Sequence, residues 1–208
     1  MVPFLDHAAV FVFALTGALV ASRAQLDIVG FVFIAALTAV GGGTLRDLLL
    51  GRDVFWIAEP QFIGLAALAA ILVFFTAHRL ESRVRAIAWL DACALSVAVP
   101  AGVGVAMGLG HTAPVVLMMG VATGCFGGLM RDVVCNEVPL VLRQGELYVT
   151  AAFLGAAAGL GGVALGFGVP YALLACAGVT FALRAGSLAF GWSLPVYKPR
   201  PPRVPPGR

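Results

Sequence analysis

Apolar residues fall into seven blocks along the chain, parted by short polar or glycine-containing breaks. The blocks run from Phe4 to Ser22, Ile28 to Leu50, Phe62 to Ala77, Ile87 to Met107, Pro114 to Cys135, Leu147 to Phe167 and Val169 to Phe190. A transmembrane helix needs about 20 apolar residues to cross the hydrocarbon core, and the pattern predicts seven such helices with short loops. The third block reaches that length only by including Ala58 to Gln61 or the His78-Arg79 end. The sixth and seventh are parted by a tight break at Gly166 to Pro170.

The blocks are not independent. Gly42-Gly43-Thr44-Leu45-Arg46-Asp47 recurs as Gly127-Gly128-Leu129-Met130-Arg131-Asp132, 85 positions later. At that offset Leu5 to Arg52 aligns without a gap against Leu90 to Glu137, and 12 of the 48 pairs are identical. Among them are Leu5-Asp6 with Leu90-Asp91, Gly17 with Gly102 and Thr38 with Thr123. The clustering of identities predicts a three-helix duplication. Three is odd, so the second copy enters the membrane inverted, and the working site of such folds lies between the copies. The expected fold is an all-α integral membrane protein of two inverted three-helix repeats, residues 1–86 and 87–168. A seventh helix over 169–191 and a basic, proline-rich tail over 192–208 complete it.

Helices two and five carry the unusual residues. Ile28 to Val40 supplies about 20 Å of helix before Gly41-Gly42-Gly43, short of a core about 30 Å thick, so the helix is expected to kink or unwind there. Helix five has Gly124-Cys125-Phe126-Gly127-Gly128, preceded by Gly120. Freed carbonyls at such a break can coordinate a cation; glycines spaced by four can equally serve close helix packing. The adjacent charges favour a pathway. An ionised side chain near the bilayer centre costs about 2.5–3.5 kcal/mol, so Arg46, Asp47, Arg131 and Asp132 require protein or water around them. Neighbours on a helix point about 100° apart, which predicts that each arginine pairs across helices. Fixed ion pairs or snorkelling arginines are the structural alternative. Thr38 and Thr123, one turn before the glycines, either face a pore or bond back to a carbonyl. Asp6 and Asp91 read as helix-start carboxylates stabilised by the helix dipole, and Arg184 as a snorkelling residue.

Composition agrees with the pattern. Hydrophobic residues make up 61% of the chain and charged residues 11%, with a mean hydropathy of +1.02, outside the range of soluble domains. Arg23, Arg79, Arg83, Arg85, Arg143 and the tail Lys198, Arg200, Arg203 and Arg208 fall on one side of a seven-helix arrangement, with Arg52 on the other. The positive-inside rule then puts the amino terminus outside and the carboxyl terminus in the cytoplasm. These clusters read as membrane flanks attracted to anionic lipid, and no nucleic-acid partner is expected. No Lys or Arg precedes the first block, so it reads as a retained helix rather than a signal peptide. Cys93, Cys125, Cys135 and Cys176 have no Cys-x-x-Cys spacing and read as small hydrophobes. No cofactor or metal site is expected.

Gly41-Gly42-Gly43-Thr44-Leu45-Arg46-Asp47 and Phe126-Gly127-Gly128-Leu129-Met130-Arg131-Asp132-Val133, in a twice-three-plus-one layout, resemble the prokaryotic trimeric intracellular cation (TRIC) channels. The resemblance covers the chain up to about Phe190. It implies a homotrimer with a pore in each protomer, bounded by kinked second and fifth helices, passing potassium and other monovalent cations in the bacterial inner membrane. Gly41 to Gly43, Gly127 and Gly128 would be hinge positions, and Arg46, Asp47, Arg131 and Asp132 pore-adjacent charges. Phe126 stands where the first motif has Gly41, and the lysine motif of animal relatives has no match before Lys198. The same domain also carries a bacterial glycine-transporter label, which leaves a small-solute transporter as the second class. An aspartyl intramembrane protease does not fit, because each motif aspartate follows an arginine that keeps it ionised. The chain is not expected to be an enzyme.

Overall fold

The computed structural model describes residues 2–79 and 83–195. The tail from residue 196 onward, including the basic residues Lys198, Arg200, Arg203 and Arg208, lies outside the described residues. Eight α-helices follow in order: α1 Val2–Arg23, α2 Ile28–Leu49, a one-turn α3 Phe55–Ala58, α4 Gln61–Thr76, α5 Arg83–Gly108, α6 Ala113–Val134, α7 Val149–Ala164 and α8 Val169–Phe190. Six stretches, Leu5–Arg23, Ile28–Leu49, Gln61–Arg79, Arg83–Gly108, Ala113–Val134 and Val169–Phe190, are long and apolar enough to cross a membrane, and Val149–Ala164 is a shorter apolar helix. The third apolar block begins earlier than its hydrophobic edge, at Gln61, because Pro60 ends the loop and its carbonyl accepts from Ile63 N. The sixth is shorter than its apolar run, since Gly162 O closes a turn on Phe167 N and Gly166 takes a positive φ of 85°.

Local chemistry sets the helix ends. Asp27 caps α2 by accepting from Gly30 N at 2.8 Å. Pro114 and Pro170 sit in the first turns of α6 and α8, where a missing N–H has no cost. The closing turns of α2 and α6 match at the 85-residue offset. Leu50 N, Gly51 N and Arg52 N donate to Arg46, Leu48 and Asp47 carbonyls, and Cys135 N, Asn136 N and Glu137 N to Arg131, Val133 and Asp132. Gly51 and Asn136 both hold positive φ, as do Gln25 and Gly110 at the previous turn.

At the centre α1, α2, α5 and α6 pack on one another; α4 leans on α1 and α2, α7 on α6 and α5, and α8 on α5 and α7. The core is built from small residues such as Ala14, Ala18, Ala35, Ala98 and Val99. Large apolar side chains face outward instead, with Val29 72% and Leu165 78% exposed, while three arginines are fully buried. Apolar outside and ionic inside is the arrangement of a protein whose solvent is lipid.

The glycine helices do not unwind. Both α2 and α6 run as continuous α-helix through their glycines for 22 residues, about 33 Å at 1.5 Å each. Neither helix unwinds, and the glycine backbone stays within helical hydrogen bonding. The glycines serve close approach. A Cβ on Gly42 would overlap the carbonyl of Thr123, and a Cβ on Gly127 the carbonyl of Thr38. The crossing of α2 over α6 is therefore backbone on backbone, and only glycine fits at those two positions.

Candidate functional site

The four motif charges gather into two buried networks of the same plan. In the first, Arg46 donates from Nε to Asp47 Oδ1 at 2.8 Å and from Nη1 to Asp6 Oδ1 of α1 at 3.0 Å. Asp47 Oδ2 accepts from Phe55 N at 3.0 Å, which ties α3 to the end of α2, and the Phe55 ring lies 5.6 Å from the guanidinium. In the second, Arg131 donates from Nε to Asp132 Oδ1 at 2.7 Å and from Nη1 to Asp91 Oδ1 of α5 at 3.0 Å. Asp132 Oδ2 accepts from Leu140 N at 2.9 Å. Every residue of the second network stands 85 positions after its counterpart.

Several expectations are corrected here. Each arginine pairs with its own neighbour as well as across helices, because its long side chain turns Nε back to the adjacent aspartate while Nη1 reaches the next helix. Asp6 and Asp91 are not helix-start caps. Both lie inside their helices, α1 and α5, and supply the cross-helix carboxylate. Arg184 does not snorkel: it is fully buried in α8, bonds Glu146 Oε2 at 2.6 Å and stacks 5.0 Å from the Tyr148 ring centre.

The two networks differ in their surroundings. Arg131 Nη1 also donates to Thr16 Oγ1 at 2.9 Å, whereas position 101, the counterpart of Thr16, is alanine. Beside the first network lies a cavity of about 540 Å³ whose walls carry Asp6, Asp53 and Glu59 against Arg52. A smaller cavity, the neck, of about 10 Å³ shares Asp6 and Phe55 with it in its lining and is also lined by Phe13, Thr38, Gly42, Gly43 and Thr123. Beside the second network lies a crevice of about 10 Å³, near Arg131, Asp132 and Arg143, and Arg23 bonds Glu137 there at 3.0 Å.

Of the two roles left open by the sequence, both threonines hold the bond back to a carbonyl. Thr38 Oγ1 donates to Ile34 O and Thr123 Oγ1 to Met119 O, each at 2.6 Å, and both residues line the neck. Gly17 and Gly102 press against them: a Cβ on Gly17 would lie 2.6 Å from Thr38 Oγ1, and one on Gly102 2.5 Å from Thr123 Oγ1. Of the other motif glycines, Gly41 accommodates the Met130 side chain and Gly43 the Phe55 ring, while Gly128 faces Tyr148 and the second network.

Sequence reasoning missed Thr16, Phe55, Glu146 and Tyr148. The first two are single uncharged residues with no motif around them. Glu146 and Arg184 are 38 positions apart, and only the shortage of partners for a buried arginine signals that they meet.

A family model described as "Glycine transporter" matches residues 3–78 and again residues 88–164. Curated relatives include a UPF0126 membrane protein of Vibrio cholerae, 37% identical over 192 residues, which are 89% of this chain and 78% of the relative. The UPF0126 inner membrane protein YadS of Escherichia coli is 36% identical over 160 residues, 74% of this chain and 75% of the relative. A TRIC trimeric intracellular cation channel orthologue from Rhodobacter sphaeroides superposes with a TM-score of 0.88 at 44% identity, covering 91% of this chain and 98% of that one. A prokaryotic TRIC channel solved in 0.5 M KCl superposes with a TM-score of 0.84 at 28% identity, covering 93% and 98%.

Proposed function

The chain belongs to the TRIC channel family, which the glycine-transporter model describes, and on that premise we propose that it is a potassium-permeable monovalent cation channel, one pore per protomer of a homotrimer. Its relatives are channels and membrane proteins, and it is not an enzyme.

The observation that carries the reading is an acidic vestibule beside a neck that shares Asp6 and Phe55 with it. Three carboxylates against one guanidinium give the vestibule a negative wall, which concentrates cations at its mouth. The neck beyond admits about one water, so an ion entering it sheds most of its hydration between Thr38 and Thr123. The second network closes the far side. Opening requires α2 and α6 to shift at the Gly42–Thr123 and Gly127–Thr38 contacts, with Gly41, Gly43 and Gly128 as hinge positions beside them. Arg46 and Arg131 would repel a passing cation if bare; Asp6, Asp47, Asp91 and Asp132 offset them.

The matched turns, ion pairs and crossing contacts support two inverted repeats over 1–86 and 87–168, followed by the seventh spanning helix over 169–191 and the tail over 192–208. With the amino terminus outside and the carboxyl terminus in the cytoplasm of a bacterial inner membrane, the vestibule faces outward and the Arg131 network inward. The exposed apolar residues then contact lipid.

The family description favours glycine as the alternative cargo. A carrier needs a mid-membrane pocket holding the whole amino acid, with a cation for its carboxylate and an acceptor for its ammonium; the neck is too small and both arginines are already paired. Purified protein in potassium-loaded vesicles is expected to release potassium down its gradient, and asymmetric potassium chloride to give a reversal potential near that of potassium. Absence of ion flux with saturable exchange of labelled glycine overturns the proposal.

A further inference from the structure

The loop between α6 and α7 is held at both ends. At its start Leu140 N donates to Asp132 Oδ2 at 2.9 Å. At its end it is fastened to α8: Glu146 Oε2 accepts from Arg184 Nη2 at 2.6 Å, and Leu147 N donates to Ser187 Oγ at 3.0 Å. The buried Tyr148 ring lies against the same guanidinium. Arg143, Gln144 and Gly145 join the two anchors. Arg184 has no exposed side-chain surface, and its Nε and Nη1 have no partner, so letting go of Glu146 would strand a buried charge. The α8 end of the loop is therefore firmly held.

The matching loop of the first network has no such support. Phe55 N donates to Asp47 as Leu140 N does to Asp132. Yet Gln61 and Phe62 stand 85 positions before Glu146 and Leu147, and Gln61 Nε2 bonds Glu59 in an exposed setting. The seventh spanning helix lies outside both stretches matched by the family model, so the first stretch has no equivalent of it. The loop without the anchor borders the vestibule of about 540 Å³, and the loop with it borders the crevice of about 10 Å³.

We propose that Arg184 and Ser187 are positioning residues for the Arg131–Asp132 network: by fixing the end of the loop they keep Leu140 N on Asp132 and hold that side of the pathway closed. They act through the loop, since their bonds go to Glu146 and Leu147. Once the loop lifts, Asp132 Oδ2 loses its donor and the carboxylate is free to turn off Arg131. The effect on closure rests on the channel reading; the anchoring does not.

The test is site-resolved hydrogen exchange on the full chain in detergent, with bilayer recordings of the same variants. Glu146→Gln and Ser187→Ala are expected to speed exchange at the Leu140 amide about tenfold, while the Phe55 amide, its counterpart, stays as it was. Both variants should raise the open-to-closed ratio. Leu140→Pro removes the donated hydrogen directly, at the first position of a short helical turn where proline is tolerated, and in that background Ser187→Ala should add nothing. Unchanged exchange at Leu140 overturns the proposal, as does equal acceleration at Leu140 and Phe55, which would be general loosening. Additive effects of Ser187→Ala and Leu140→Pro on the open-to-closed ratio overturn it too. Faster exchange at Leu140 in a protein that passes no current would leave the anchoring standing and count against the channel reading alone.

Discussion

Arg131 reaches across to Thr16 on the first helix with a 2.9 Å hydrogen bond that Arg46 has no means to match, because alanine occupies position 101. The two networks are otherwise built alike, so this bond distinguishes the side with the small crevice from the side with the vestibule. A hydrogen bond to a charged group contributes about 1.5–3 kcal/mol. Thr16→Val keeps the shape and removes the bond, and is expected to raise the open-to-closed ratio about tenfold in bilayer recordings. An unchanged open probability would mean that Thr16 takes no part in closure.

The α2–α6 crossing makes a second prediction. Gly42→Ala and Gly127→Ala each drive a methyl group into a partner carbonyl, and overpacking of this kind costs about 1–3 kcal/mol. Gly64→Ala and Gly161→Ala meet open space and gain up to about 1 kcal/mol of helix propensity. Thermal denaturation in detergent should separate the two pairs clearly, and equal melting temperatures would contradict a backbone-on-backbone crossing.

Burial ranks the carboxylates. Asp91 and Arg131 have no exposed side-chain surface, so Asp91→Ala leaves a buried guanidinium short of a partner, at a cost of about 3 kcal/mol. Asp6 is partly exposed and its loss is expected to cost less. The Arg23–Glu137 pair is partly exposed on both sides, and Glu137→Gln should change stability by less than about 1 kcal/mol, with the difference shrinking as salt is added. Chemical unfolding of the three variants checks the order.

The vestibule charges act at a distance. Asp53→Asn and Glu59→Gln remove negative wall without touching the neck, and are expected to lower single-channel conductance severalfold at about 0.01 M potassium, where the Debye length is about 30 Å. At about 1 M the screening length falls to about 3 Å and the variants should match the unmodified protein. A deficit that persists at high salt would place these residues in the conduction path itself.

The helices and the coupling of the two motifs were legible in the sequence, because lipid leaves only one way to satisfy the backbone and because charge in an apolar chain must have a partner. What the glycines do was not legible. Gly41 to Gly43 read as a break when counted along one helix, yet the space at Gly42 belongs to Thr123 and that at Gly43 to Phe55, which the chain brings there from 81 and 12 positions further on. Asp6 and Asp91 were hidden for the converse reason. Their place near the start of an apolar block suits a cap, and only the tertiary contact shows that an arginine 40 residues later claims each of them.

Thr38 and Thr123 each direct their hydroxyl hydrogen back to a carbonyl of their own helix. The neck therefore meets its contents with oxygen lone pairs from both threonines and with no hydroxyl hydrogen. Lone pairs of this kind suit a cation or a hydrogen-bond donor and offer an anion nothing. A preference by sign of charge would then begin with two uncharged side chains, with Asp6 beside them in the same lining.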